Sequence, residues 1–186
     1  MIGFLHGSVQ HVKDNFIILD VSGVGYKIFV PLPLTLSTEP KKTLSLYIHT
    51  HVKEDQLSLF GFSSEDELFL FEKLISVSGI GPKSALAMLS VHSPSSVSDA
   101  VERGDAVTLS HTPGIGKKTA EKIILELRGK LSHLVSMKEN DMSYEARLAL
   151  ETLGYSSKEI HSVLQKIDTK NKTTGVIIKE ALTQLQ

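Results

Sequence analysis

The sequence predicts an α+β chain of three parts: a small five-stranded β-barrel, an all-helical domain and a C-terminal bundle of three short helices. Three observations carry this. Apolar residues alternate with period two as far as Phe62, the spacing turns helical at Ser63, and residues 132–142 lose apolar periodicity before helical patterns resume. The expected divisions are therefore a barrel over 1–62, a helical domain over 63–131, a flexible linker over 132–142 and a bundle over 143–186.

In the first part, Ile2 to Val12, Phe16 to Val21, Gly25 to Val30, Leu44 to Val52 and Gln56 to Phe60 are runs rich in Val, Ile, Leu, Phe and Tyr. Leu44, Leu46, Ile48, Thr50 and Val52 alternate with Ser45, Tyr47, His49 and His51, as in a strand with one buried face. Turn signals separate the runs at Lys13-Asp14-Asn15, Ser22-Gly23 and Pro31-Leu32-Pro33. Five such strands fit a Greek-key barrel of the OB type, and an SH3-like barrel fits the periodicity nearly as well.

Ser64 and Glu67 then form a capping box ahead of Leu68, Phe71, Leu74 and Ile75 at helical spacing. Further helices are expected at Pro82 to Ser90, at Ser95 to Arg103 with Gly104 as its stop, briefly after Asp105, and from Lys117 to about Leu131. In the bundle, a second capping box, Ser156 with Glu159, opens the middle helix. This last segment is nearly neutral, which favours a protein partner over DNA there.

The formal net charge of −1 gives bulk electrostatics no role in attracting a polyanion, so nucleic-acid binding would rest on locally placed lysines and backbone amides. Without cysteine there is no disulfide framework, Cys-ligated zinc or iron–sulfur cluster. The N-terminus lacks the basic flank and apolar run of a signal peptide, and no stretch approaches ~18 consecutive apolar residues, so a cytoplasmic chain with no membrane contact is expected.

The helical domain contains an internal repeat. Leu74 to Ala85 aligns with Leu109 to Ala120 at one constant offset, matching Gly79 with Gly114, Ile80 with Ile115, Gly81 with Gly116, Lys83 with Lys118, Ser84 with Thr119 and Ala85 with Ala120. Each unit reads as helix, tight Gly-Ile-Gly hairpin, helix. This is the helix-hairpin-helix pattern of DNA binding without sequence preference. Two glycines permit positive φ and remove Cβ atoms, so hairpin N–H groups can approach a phosphate. The following helix then presents its unbonded amides and positive dipole end. Lys83, Lys117 and Lys118 add charge, and Ser84 and Thr119 add hydroxyls. Such a site reads the backbone rather than the bases.

Those two hairpins, with Met1-Ile2-Gly3, Gly23-Val24-Gly25-Tyr26, Leu59-Phe60-Gly61-Phe62, Glu126-Leu127 and Leu153-Gly154-Tyr155, resemble the RuvA family of Holliday-junction branch-migration proteins along essentially the whole chain. The resemblance implies a non-catalytic subunit that forms a homotetramer, or an octamer on DNA, and holds a four-way junction. It also implies a RuvB-type hexameric ATPase as partner of the third domain, and a RuvC-type resolving nuclease as a further partner. Glu54 and Asp55, between the last two strands, resemble the family's acidic pin at the junction centre. Two departures stand out: His6 occupies a position where relatives usually carry Arg or Lys, and the linker is short.

Other chemistries find less support. A DNA glycosylase/lyase would use Lys118 as nucleophile, but the carboxylate expected downstream is replaced by Ser136. No Gly-x-x-x-x-Gly-Lys-Ser/Thr phosphate loop occurs, so motive energy must come from a partner. Neither Glu54 with Asp55 nor His49 with His51 has a third metal ligand in view. Single-strand coating through the barrel would require Tyr26, Phe29 and Tyr47 to stack on bases rather than pack in the core. The expectation is a DNA-binding protein with no catalytic residue, cofactor or metal.

Overall fold

The computed structural model describes residues 1–54, 56–131, 134, 146, 149–150, 152–155, 160, 163–164 and 173–185. It divides into two compact units, Met1–Ser136 and Met137–Gln186.

The first unit begins with strands β1 (Phe4–Lys13), β2 (Phe16–Val21), β3 (Val24–Phe29), β4 (Thr43–Val52) and β5 (Leu57–Phe62). They close into a barrel in the order β1-β2-β3-β5-β4, with β4 returning to β1. All neighbours are antiparallel except β3 and β5, which pair in parallel through Ile28–Leu59 and Phe29–Phe60. That crossover decides for the OB-type order between the two barrels that the periodicity left open. Leu5, Val9, Ile17, Leu19, Ile28, Leu46, Ile48 and Leu59 fill the interior. β1 serves two neighbours by bending at a register shift between Val9 and His11. Gly7 permits the close approach to β2, because a Cβ there would collide with the carbonyl oxygen of Asp20.

The Pro31-Leu32-Pro33 segment is more than a turn. It opens a short helix, α1 (Leu32–Ser37), with Pro33 in the first turn, where its missing N–H has no intrahelical role. The Thr35 hydroxyl donates back to the Leu32 carbonyl at 2.8 Å.

β5 is buried on both faces from Ser58 to Phe62. Leu59 joins the barrel interior, whereas Phe60 and Phe62 belong to the core under the helices, with ring centroids 5.1 and 4.8 Å from Phe71. Packing therefore continues across the change of period at Ser63.

Helices α2 (Glu65–Ser76), α3 (Pro82–Val91), α4 (Pro94–Arg103), α5 (Ala106–Ser110) and α6 (Lys117–Leu127) follow. The Ser64 hydroxyl caps α2 by accepting the Glu67 N–H at 3.2 Å. The Glu67 carboxylate bonds the N–H of Ser63, one residue earlier than a regular capping box would place it, at 2.8 Å. Gly104 ends α4 at φ 73°, and Asp105 caps α5 by accepting the Thr108 N–H. α6 stops at Leu127 rather than at Leu131. Arg128 turns extended, Gly129 takes φ 74°, and Glu102 captures this exit through its carbonyl to Arg128 Nη2 and its carboxylate to the Gly129 N–H, each at 2.8 Å.

In the second unit, Leu150, Ile160, Val163 and Ala181 are buried together, with Tyr155, Leu164, Ile178 and Leu182 against them, and the C-terminal helix spans Thr174–Leu185. The expected linker, apart from the buried Leu134 that belongs to the first unit's core, and the Ser156–Glu159 box lie outside the described residues. Among the described residues no helix is long and apolar enough to cross a membrane.

Candidate nucleic-acid interface

The repeat in the sequence is a repeat in backbone geometry. Gly79 and Gly114 have φ of 92° and 83°. Gly81 and Gly116, each the N-cap of the next helix, have φ/ψ of −94°/170° and −84°/169°. In each hairpin the isoleucine N–H closes a turn at 3.0 Å, Ile80 onto the Val77 carbonyl and Ile115 onto that of Thr112. The first α-helical bonds also correspond: the Ala85 N–H reaches the Gly81 carbonyl at 3.1 Å and the Ala120 N–H that of Gly116 at 2.9 Å. Ile80 and Ile115 anchor both turns, being 6% and 4% exposed.

Only the first glycine of each pair needs its residue type for backbone reasons. Gly81 and Gly116 sit in extended conformations open to any L-residue. Nothing lies within 4 Å of a Cβ built on any of the four glycines. Neither backbone strain nor a close neighbour among the described residues therefore requires glycine at Gly81 or Gly116, and both leave the hairpin backbone open.

Lys83 and Lys118 share the second helical position after their hairpins, and Ser84 and Thr119 the third. Lys83, Lys117 and Lys118 are exposed, and among the described residues none forms an ion pair. Pro82 and Lys117 share the first position, so the second hairpin offers one N–H and one cation that the first lacks. Neither α3 nor α6 has a side-chain cap, which leaves the amides of both first turns turned to solvent or ligand. Lys122 instead pairs with Glu126 at 3.8 Å along α6.

Three family models match successive parts of the chain. A family model described as the RuvA N terminal domain matches residues 1–61, a SAM-like helix-hairpin-helix tandem matches 71–130, and a RuvA C-terminal domain matches 141–186. A relative from Bacillus velezensis is 39% identical over 201 residues, covering 100% of this chain and 99% of its own. The chain belongs to the RuvA family. A second member, from Caldanaerobacter subterraneus, is 43% identical over 187 residues with the same coverage, and both relatives are named Holliday junction branch migration complex subunit RuvA.

The other residues singled out in the sequence lie in several settings. Glu54 is exposed where Lys53 and Gln56 exchange backbone hydrogen bonds of 2.8 and 3.4 Å between β4 and β5; Asp55 lies outside the described residues. His6 is tied to the Ser45 hydroxyl at 2.7 Å. His49 Nδ1 lies 3.0 Å from Glu72 Oε1, and among the described residues no three His, Cys, Asp or Glu side chains converge as metal ligands. Tyr26 packs against the barrel interior, and Tyr47 meets Phe4 edge-on at 5.7 Å.

Sequence reasoning missed one feature. A cleft of about 670 Å³ opens between the barrel and α3, lined among others by Asn15, Phe29, His51, Lys53, Phe60 and Lys83. These residues are scattered along the chain, so no local pattern signals it. His51 is one of the lining residues, and its buried Nε2 has no hydrogen-bond partner among the described residues. Burial, with Lys53 and His49 adding to it, lowers the pKa of His51 and favours the neutral ring.

Proposed function

We propose that the chain is a non-catalytic DNA-binding subunit that holds four-way junctions during recombination and repair. The observation that carries this reading is the pair of geometrically equivalent hairpins, each with a second glycine that neither strain nor a close neighbour requires. Gly79 and Gly114 make the turns, and Gly81 and Gly116 clear the approach. The amides of the first turns of α3 and α6 receive phosphate oxygens, assisted by Lys83, Lys117 and Lys118 and by the hydroxyls of Ser84 and Thr119. Two such sites at fixed separation grip a duplex arm without reading its bases.

Four copies matching four arms would use the symmetry of the junction itself. Glu54 and Asp55 repel phosphate at the crossover and keep the strands apart, so junction is favoured over duplex by a penalty on duplex. Residues 143–186 recruit a RuvB-type hexameric ATPase, since the chain has no phosphate loop of its own. The printed names of the relatives, subunits of a branch-migration complex, support that division of labour. A RuvC-type nuclease would dock on the same assembly, and the setting is cytoplasmic.

The test is a titration of a synthetic four-way junction and of linear duplex at one salt concentration, with light scattering on the complexes. Tighter binding to the junction, in complexes with four or eight copies, is expected; equal binding to both DNAs would overturn the reading. Truncation after Met142 should preserve junction affinity and abolish stimulation of the partner ATPase. Loss of junction affinity would put the DNA site in the wrong part of the chain.

A further inference from the structure

The cleft between barrel and α3 is within the ~300–1,000 Å³ usual for ligand sites. Its floor is aromatic: Phe29 and Phe60 lie with ring centroids 5.6 Å apart and planes tilted by 31°. One lysine comes from each wall, Lys53 from the end of β4 and Lys83 from the first turn of α3, and Asp14 is the only carboxylate among the lining residues described. The lining is therefore net positive. Asn15, Gln56 and Ser58 add neutral hydrogen-bonding groups. The His51 ring lines the cleft, edge-on to Phe60 with centroids 6.2 Å apart, and its buried Nε2 has no hydrogen-bond partner among the described residues.

We propose that this cleft receives one unpaired nucleotide of a DNA strand, its base against Phe29 and Phe60 and edge-on to His51, its phosphate between Lys53 and Lys83. Apolar rings, neutral polar groups and paired cations match the base and phosphate of a nucleotide together, and match neither a bare anion nor a greasy peptide as well. Location selects an unpaired nucleotide. Lys53 directly precedes Glu54, and Lys83 belongs to the first hairpin, so the cleft lies between the groups assigned to strand separation and to backbone grip. A strand parted at the crossover has bases that have lost their partners but not yet gained new ones. The cleft would shelter one of them during each exchange step. This inference rests on the junction-binding reading above.

The experiment uses the full chain and two four-way junctions, one fully paired and one with a single extra thymidine at the crossover, carried in a second version as photoreactive 5-iodouracil. Wild type should bind the junction with the unpaired base about tenfold more tightly, the lower range for one stacked base. Crosslinks should map to Phe29, Phe60 or His51. Asn15→Trp, at an exposed rim position, and His51→Leu should each remove that gain while leaving affinity for the fully paired junction unchanged. No gain in wild type, or crosslinks only outside the cleft, would overturn the proposal and leave the junction reading standing. Equal loss on both junctions in the variants would make the cleft part of duplex binding and overturn it as well. Failure of wild type to prefer the paired junction over linear duplex would bring down the junction reading, and this inference with it.

Discussion

The two glycines of each hairpin should fail in opposite ways when replaced by alanine. At Gly116 the backbone is extended and a Cβ meets nothing within 4 Å, so Gly116→Ala introduces neither strain nor clash. Its effect on folding should be near zero, the ~0.4–1 kcal/mol gained from the reduced freedom of the unfolded chain offsetting the comparable cost of alanine in place of glycine at an N-cap. At Gly114, with φ 83°, the same change forces an L-residue into left-handed backbone at a cost of ~1–2 kcal/mol. With a Tm shift of roughly 3–5 °C per kcal/mol for a unit of this size, Gly114→Ala should melt several degrees below wild type and Gly116→Ala close to it. DNA affinity should follow another order. A methyl group at Gly116 stands where a phosphate oxygen must come within hydrogen-bonding distance, and losing one charge-assisted bond costs ~1.5–3 kcal/mol, about 10- to 150-fold per site. Gly81→Ala should behave like Gly116→Ala at the first hairpin. The measurements are thermal unfolding and fluorescence anisotropy with a labelled junction at fixed salt. If Gly116→Ala keeps both its Tm and wild-type affinity, the open glycine has no phosphate to admit and the DNA binds elsewhere.

Lys83→Ala and Lys118→Ala should weaken binding to every junction sequence alike and flatten log affinity against log salt by about one unit for each phosphate no longer neutralised; a sequence-dependent loss would argue for base reading. Replacing Glu54 and Asp55 together with Asn should raise affinity for linear duplex more than for junction, and an unchanged ratio in parallel titrations would reduce the pair to a polar turn. Gly7→Ala should unfold or severely destabilise the barrel, because the new Cβ meets the Asp20 carbonyl across β1 and β2; a near-native melting curve would contradict that packing. Borohydride trapping on abasic DNA should give no adduct at Lys118, since Ser136 stands where a lyase would carry its carboxylate; a covalent product would revive the lyase alternative.

The hairpins were legible because their determinants are local. Gly-Ile-Gly followed by a helix start specifies its turn within a few residues, and two copies at one offset distinguish a repeated motif from an incidental turn. Helix starts and stops at Ser64, Gly104 and Asp105 were legible for the same reason, each cap being satisfied within about four residues. Less accessible was the end of α6, which depends on Glu102 capturing Arg128 and Gly129 from another helix. The role of the second glycines was hidden too. Two closely spaced glycines suggest two positive φ values, yet only the first of each pair has one.

By itself the sequence determined the kinds of element, their order and the duplicated Gly-Ile-Gly turn, because periodicity and capping act over a few residues. The tertiary structure decided the rest. Barrel type depended on the parallel pairing of β3 with β5, a contact between distant segments that the same alternation of apolar residues leaves open. β5 looks like an ordinary half-buried strand until helix α2 covers its second face and draws Phe60 and Phe62 into another core. The cleft exists only where β3, the β4–β5 hairpin and α3 come together, so its aromatic floor and two lysines have no signature along the chain. Contacts of large sequence separation are set by the simultaneous burial of many side chains, and no window of the sequence contains that sum.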